Sequence, residues 1–125
     1  MSPRPLLPAR NIGNHFEIQA LDYLADQGLK LVQKNFTIRT GEIDIIMLDR
    51  STLVFIEVRY RTKNDYGSSI ETVSFHKQNR IKKAALYFLG SHPEHSHRDC
   101  RFDVIGIDKN NSDLHIHWIK NAFTE

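Results

Sequence analysis

Two apolar runs separated by a short polar turn place the strongest constraint on how this chain folds. Residues 42–48 are rich in isoleucine, residues 52–61 are rich in β-branched and aromatic side chains, and Asp49-Arg50-Ser51 lies between them. Runs of this length and composition around a tight turn are typical of a β-hairpin. The hairpin therefore predicts two paired strands near the middle of the chain.

Helical periodicity flanks this hairpin. Over residues 11–27 apolar side chains recur every four positions, at Ile12, Phe16, Ala20 and Leu24, and Gly28 is placed to end the helix. A second helix is predicted over 74–90, with Ser74 as N-cap and a buried stripe at Ile81, Ala85 and Phe88 or Leu89. Further strands are predicted over 29–37, 101–107 and 114–119. The order α-β-β-β-α-β-β predicts an α/β fold, one mixed sheet with a helix against each face.

Length and composition indicate one globular domain. The 125 residues include 40% hydrophobic residues, a net charge of +2 and a single cysteine. Three prolines near the start predict a flexible tail over residues 1–10, followed by one domain over 11–125. One cysteine cannot form an intramolecular disulfide, and the sequence has neither a signal peptide nor an apolar stretch long enough for a membrane span. We therefore expect a cytoplasmic protein that does not associate with a membrane.

Charged residues interrupt the two most hydrophobic runs. Asp44 lies within the isoleucine run, and Glu57 and Arg59 lie in the next run, where alternation places them on one face. Burying a carboxylate costs several kcal/mol unless it is paired or binds a metal. One explanation is a structural salt bridge to Arg59 or Arg61, and the other is a metal site.

The spacing favours the metal site. Glu57 follows Asp44 by thirteen positions, one hairpin, and an Asp followed by Glu-x-Lys on the adjacent strand places two carboxylates and a cation around a divalent metal. Mg²⁺ prefers oxygen ligands and keeps several waters, and such a water can attack a phosphodiester. A neighbouring cation stabilises the charge that develops in the transition state. Mg²⁺ or Mn²⁺ is the expected cofactor.

With these residues the chain resembles the YraN-like family of the restriction-endonuclease-like superfamily, whose signature is written PD-(D/E)xK. The helix pattern Gly-x3-Glu-x2-Ala-x2-Tyr-Leu matches Gly13, Glu17, Ala20, Tyr23 and Leu24. Gly-Glu-Ile-Asp matches residues 41–44 and Phe-x-Glu-Val matches residues 55–58. The family's remaining positions match Arg61, Tyr66-Gly67, Lys77 and Arg101-Phe-Asp-Val. The resemblance covers residues 13 to about 107.

The resemblance implies a restriction-endonuclease-like core, similar to that of archaeal Holliday-junction resolvases, with Glu17, Asp44 and Glu57 facing a metal. The analogy with resolvases also implies a homodimer. The chain departs from the superfamily signature because Arg59 occupies the position of the signature lysine. Arginine cannot act as a general base, although it can hold a phosphate oxygen, and Lys77 is placed to supply the missing amine.

Three functions follow from these residues and stay open at this stage. The first is a metal-dependent endonuclease acting on structured or branched DNA, with Asp44, Glu57, Arg59 and Lys77 as catalytic residues. The second is a nucleic-acid-binding module that has lost turnover, within a larger DNA-processing complex. The third is a structural interaction protein whose charged cluster only orders the sheet. The expected nucleic-acid contacts are Arg59, Arg61, Lys63, Lys77 and Arg80, although a solvated helix face also explains Arg80. We expect the three carboxylates to converge at one edge of the sheet.

Overall fold

The computed structural model describes the backbone of residues 9–61 and 73–124, and the side chains of residues 15–61 and 73–124. Its elements are α1 (Ala9–Asp26), β1 (Lys30–Ile38), β2 (Gly41–Asp49), β3 (Thr52–Arg61), α2 (Phe75–Ser91), a single 3₁₀ turn (Pro93–His95), β4 (Cys100–Asn110) and β5 (Asp113–Phe123). The order α-β-β-β-α-β-β is as predicted, and the bounds of β3 agree with the prediction residue for residue.

The five strands form one mixed sheet in the order β1-β2-β3-β4-β5. All neighbouring pairs are antiparallel except β3 and β4, which are parallel because α2 crosses between them. The two helices cover opposite faces, since one buried cluster contains side chains of α1 and the other contains side chains of α2. The predicted mixed sheet with a helix against each face is confirmed.

Helix α1 uses the predicted stripe to cover its face of the sheet. Phe16, Ala20 and Leu24 are buried against β2, β3 and β4, and Gly28 ends the helix region with a φ of 101° that an L side chain rarely adopts. The helix begins at Ala9, so residues 9 and 10 belong to it and not to the predicted tail, while residues 1–8 lie outside the described residues.

Helix α2 begins and packs as the sequence predicts. The side chain of Ser74 accepts a hydrogen bond from the amide of Lys77, which fixes the first turn. Ile81, Ala85 and Phe88 are buried, while Leu89 is only partly buried. The helix therefore presents its apolar stripe to β2 and β3 and its N-terminal turn to the start of β2.

Strands β4 and β5 are longer than predicted and are tied together by a buried aspartate. Asp103 is fully buried and accepts hydrogen bonds from Arg101 Nε, from Trp118 Nε1 and from the amide of Asn121, each at 2.9 Å. These partners satisfy a carboxylate that would otherwise destabilise the core. Within the described part of the chain, no helix is long and apolar enough to cross a membrane.

Candidate functional site

A fork opens between β2 and β3 in the middle of the described sheet. The two strands pair from Asp49–Thr52 to Ile45–Ile56, and their pairing stops there. Strand β3 nevertheless stays paired with β4 as far as Arg61. Beyond Ile56 the amide of Val58 therefore has no partner on β2, and it donates to Asp44 Oδ2 at 2.8 Å instead. A side chain thus replaces a strand contact at the fork.

Asp44 lies where β2 changes the face that it presents to each helix. Ile43 packs in the α2 core and Ile45 packs in the α1 core, so regular alternation is interrupted between them. On the neighbouring strand Asn35 lies opposite Asp44 and has a φ of 52°, a left-handed conformation that asparagine tolerates. Because of this interruption, Asp44 reaches Glu17 on one side and Glu57 on the other.

The Asp44 and Glu57 carboxyl groups lie within hydrogen-bonding reach of each other in a buried environment. Burial first, and then the charge of Asp44, raise the pKa of Glu57 to about 8. Burial also raises the pKa of Asp44, against the hydrogen bond from Val58. Glu57 is 8% exposed, and its Oε1 atom has no hydrogen-bond partner. A buried carboxylate oxygen without a partner is costly, so this position needs a ligand or a proton.

Glu17 joins the pair from α1. Burial and the neighbouring Asp44 raise the pKa of Glu17 to about 7, although a hydrogen bond from Asn35 and the charge of Lys34 act in the opposite direction. A cavity of about 120 Å³ opens beside Glu17, Lys34 and Asn35. Of the three carboxylates that were expected to converge, Asp44 contacts both Glu17 and Glu57, so they form a chain from Glu17 through Asp44 to Glu57.

The site does not lie at an edge of the sheet, as the sequence had led us to expect. It lies between β2 and β3, the second and third of five strands. The physical reason is that the fork opens an internal gap, where both helices can reach the carboxylates, without exposing a sheet edge.

A cation from α2 completes the site. Lys77 Nζ lies 3.9 Å from Glu57 Oε2 and 3.0 Å from Glu42 Oε1. Burial lowers the pKa of Lys77, but the charges of Glu57, Glu42 and Asp44 outweigh burial and raise it above its ordinary value. Lys77 therefore stays protonated at neutral pH. It can stabilise negative charge, but it cannot serve as a general base there.

The other predicted cations lie along β3 and α2. Arg59 is half-buried on the face of Glu57, and its charge opposes the rise in the pKa of Glu57. Arg61 is half-buried at the end of β3. Arg80 Nη2 lies 3.0 Å from Glu42 Oε2. Lys63 lies outside the described residues.

The donor set fits a hard divalent cation held by few protein ligands. Within the described residues, no three His, Cys, Asp or Glu side chains are already grouped as a metal site. Mg²⁺ is commonly held by one or two carboxylates, with water and substrate phosphate oxygens supplying the rest. Asp44 and Glu57 can provide those two carboxylates, and the unpartnered Glu57 Oε1 is the observation that favours a cation between them.

Comparison with known proteins identifies the family of this chain. A model described as "Uncharacterised protein family UPF0102" matches residues 16–107. The chain belongs to this family. It is 48% identical over 121 residues to a UPF0102 protein of Alcanivorax borkumensis, which covers 95% of this chain and 97% of the relative. It is also 48% identical over 118 residues to one of Vibrio cholerae, covering 94% and 95%. A UPF0102 protein of Stutzerimonas stutzeri is 41% identical over 115 residues, covering 92% and 96%.

The region matched by the UPF0102 family contains every described residue of the fork, and it ends within β4. Two residues of this region were missed as site residues by sequence reasoning. Glu42 was read only as part of the Gly-Glu-Ile-Asp motif, although its spacing two positions before Asp44 was a usable signal. Asn35 gave no signal, since its role depends on a left-handed backbone conformation opposite Asp44.

Proposed function

We propose that this UPF0102 chain has a restriction-endonuclease-like fold and is a divalent-metal-dependent endonuclease acting on structured or branched DNA. The observation that carries the proposal is the meeting of Asp44 and Glu57 in a buried fork beside the Lys77 ammonium, with Glu57 Oε1 left without a partner. A structural salt bridge explains this less well, because the neighbouring Asp44 carboxylate raises the pKa of Glu57, while Lys77 Nζ lies 3.9 Å from Glu57 and bonds directly to Glu42 instead.

In the proposed reaction, water attacks the phosphorus atom and gives up a proton to solvent as the new P–O bond forms, the bond to the leaving oxygen breaks, and that oxygen takes up a proton from solvent. When bound, Mg²⁺ or Mn²⁺ supplies Lewis acidity and an activated water. Asp44 and Glu57 would hold the cation, and Glu17 would lie next to it through Asp44. The amide of Val58 holds one oxygen of Asp44 and so orients this carboxylate.

Two cations of the chain suit the developing negative charge. Lys77 stays protonated beside Glu57, so its role is electrostatic stabilisation and not proton abstraction. Arg59 follows Glu57 on the same face and offers a planar pair of donors for phosphate oxygens. Together they divide between two residues the task that one lysine has in the superfamily signature.

The proposed substrate is nucleic acid because the further cations extend from the fork. Arg61 follows Arg59 along β3, Lys63 comes next in the sequence, and Arg80 lies one turn beyond Lys77 on α2. Contacts of this kind read the phosphate backbone and not the bases. The preference for branched DNA rests on the resemblance to junction resolvases. The cytoplasmic location and the homodimer stay predictions from the sequence.

The experiment is a cleavage assay on linear, single-stranded and branched DNA, with Mg²⁺, with Mn²⁺ and with EDTA. We expect cleavage that needs the metal and is lost in Asp44→Ala and Glu57→Ala, while these variants still bind DNA. Glu94→Gln, an exposed glutamate outside the fork, serves as the control.

A second candidate is a nucleic-acid-binding module without turnover, and the replacement of the signature lysine by Arg59 favours it. If the wild-type protein binds branched DNA but cleaves no substrate with either metal, the module is the better description. If it neither binds nor cleaves any nucleic acid, both proposals fail and the structural interaction protein is favoured.

A further inference from the structure

Glu42 is the one carboxylate at the fork that no step of the proposed reaction uses. Its two oxygens are engaged by two different cations of α2, Oε1 by Lys77 Nζ at 3.0 Å and Oε2 by Arg80 at 3.0 Å. The hydrogen bonds from Arg80 and then Lys77 hold the pKa of Glu42 below its ordinary value, so it remains a carboxylate at neutral pH. Unlike Glu57, it has a cationic donor on each of its oxygens.

Local packing fixes where Glu42 can reach. The preceding Gly41 lies so close to α2 that a Cβ atom there would overlap the backbone carbonyl of Arg80. The start of β2 is therefore pressed against the first turns of α2. On the other side of this contact, Ser74 caps the helix by accepting from the amide of Lys77. The backbones of Glu42 and Lys77 are both fixed before their side chains meet.

The Lys77 side chain can adopt many conformations, and only contacts with its partners restrict it to one. Lysine is a flexible chain that ends in a point charge, and about a third of the Lys77 side chain is exposed. Its contact with Glu57 is long, at 3.9 Å, whereas its contact with Glu42 is a direct hydrogen bond at 3.0 Å. The direct hydrogen bond to Glu42 therefore fixes the direction of the ammonium more closely than the longer contact with Glu57 does.

We infer that Glu42 is a positioning residue for the proposed phosphodiester hydrolysis, which holds the Lys77 ammonium beside Glu57 where charge develops. The inference rests on the proposed function. Glu42 bonds to Lys77 and Arg80 and not to the proposed cation ligands, so it acts on the site chiefly through Lys77, with a smaller electrostatic effect on Asp44. Outer partners of this kind typically contribute a factor of about 10 to 100 in activity.

The test compares Glu42→Gln with Glu42→Asp in the full chain. Glutamine keeps the size of the side chain, removes its charge and turns an NH₂ group toward Lys77, whereas aspartate keeps the charge on a shorter side chain. With Mg²⁺ and branched DNA, we expect Glu42→Gln to lower kcat about tenfold or more and to leave KM within about twofold. Glu42→Asp should recover part of kcat. Glu94→Gln is the matched control.

A second readout follows Lys77 itself, independently of cleavage. The NMR resonance of the Lys77 Cε–Hε group, assigned with Lys77→Arg, should move in Glu42→Gln toward that of exposed Lys83. A role limited to clamping α2 on the sheet predicts a lower urea midpoint with kcat unchanged. An unchanged Lys77 resonance, or an unchanged kcat in a folded Glu42→Gln protein, overturns the inference.

The two levels of failure are distinguishable. A wild-type protein that cleaves no DNA overturns the proposed function and this inference together. A wild-type protein that cleaves, with Glu42→Gln cleaving equally well, overturns this inference alone. If Glu42→Gln does not fold, Glu42→Asp decides: wild-type kcat with a displaced Lys77 resonance refutes the positioning role, and a lower kcat at unchanged KM supports it.

Discussion

Replacing Glu57 with glutamine should stabilise the metal-free protein at alkaline pH, even though it removes a group on which the proposed reaction depends. Burial, together with the charge of Asp44, raises the pKa of Glu57 from 4.5 to about 8. Because the folded pKa lies above the unfolded value, the stability that Glu57 contributes is fully present below pH 4.5 and is lost as the pH rises through about 8. Glutamine is uncharged at every pH and escapes this loss.

The magnitude follows from the same values. At about 1.4 kcal/mol per pH unit, a pKa raised from 4.5 to about 8 corresponds to about 5 kcal/mol at a pH above both values. Asp44 shares this titration, so part of the penalty belongs to the pair and not to Glu57 alone. We therefore expect Glu57→Gln to raise the free energy of unfolding by about 2 kcal/mol at pH 9, and by less than about 0.5 kcal/mol at pH 5.

The assay is urea unfolding with EDTA at pH 5, 7 and 9, analysed by linear extrapolation. Glu94→Gln removes an exposed carboxylate outside the fork and should show no such dependence on pH. The reasoning would be refuted if Glu57→Gln changed the free energy of unfolding by the same amount at pH 5 and pH 9. It would also be refuted if the variant were less stable than wild type at pH 9. Either result would mean that Glu57 is ionised without cost in the folded protein.

Three further results are expected. Arg61→Ala and Lys63→Ala should weaken binding to every DNA sequence alike and reduce the salt slope by about one each, measured by fluorescence anisotropy; unchanged binding would make these cations a solvated surface. Arg59→Lys should keep or raise the cleavage rate and Arg59→Ala should lower it; a folded Arg59→Lys protein that cuts far more slowly would show that arginine is specialised here. Asp103→Ala should lower the free energy of unfolding by about 3 kcal/mol or more in urea titrations, because Arg101 loses a buried partner; a loss below about 1 kcal/mol contradicts this.

Much of the fold could be predicted because it depends on local patterns. The apolar spacing of Phe16, Ala20 and Leu24 and the hairpin around Asp49-Arg50-Ser51 each specify an element within a few residues of chain. The ends of β4 and β5 were placed too short, because polar positions such as Lys109 and Lys120 interrupt the pattern although backbone pairing continues through them.

For the site, the sequence could predict which residues take part but not how they are arranged. Strand alternation and spacing brought Asp44 and Glu57 together, but alternation alone could not foresee the fork, since the fork exists where pairing with β2 stops and a side chain replaces it. The partnership of Glu42 with Lys77 links positions 42 and 77 through the packing of Gly41 against α2. The residues that make such contacts are far apart in the sequence, and no periodic pattern predicts their pairing.

Titration calorimetry with Mn²⁺ tests most directly whether the carboxylates of the fork are a cation site. At pH 7.5, in two buffers of different ionisation enthalpy, we expect binding of about one Mn²⁺ per chain with release of about one proton, because Glu57 with a pKa of about 8 must lose its proton to act as a ligand. Asp44→Asn and Glu57→Gln should abolish the binding, and Glu94→Gln should preserve it. Binding that is absent from the wild-type protein, or that persists unchanged in Asp44→Asn and Glu57→Gln, would contradict the account.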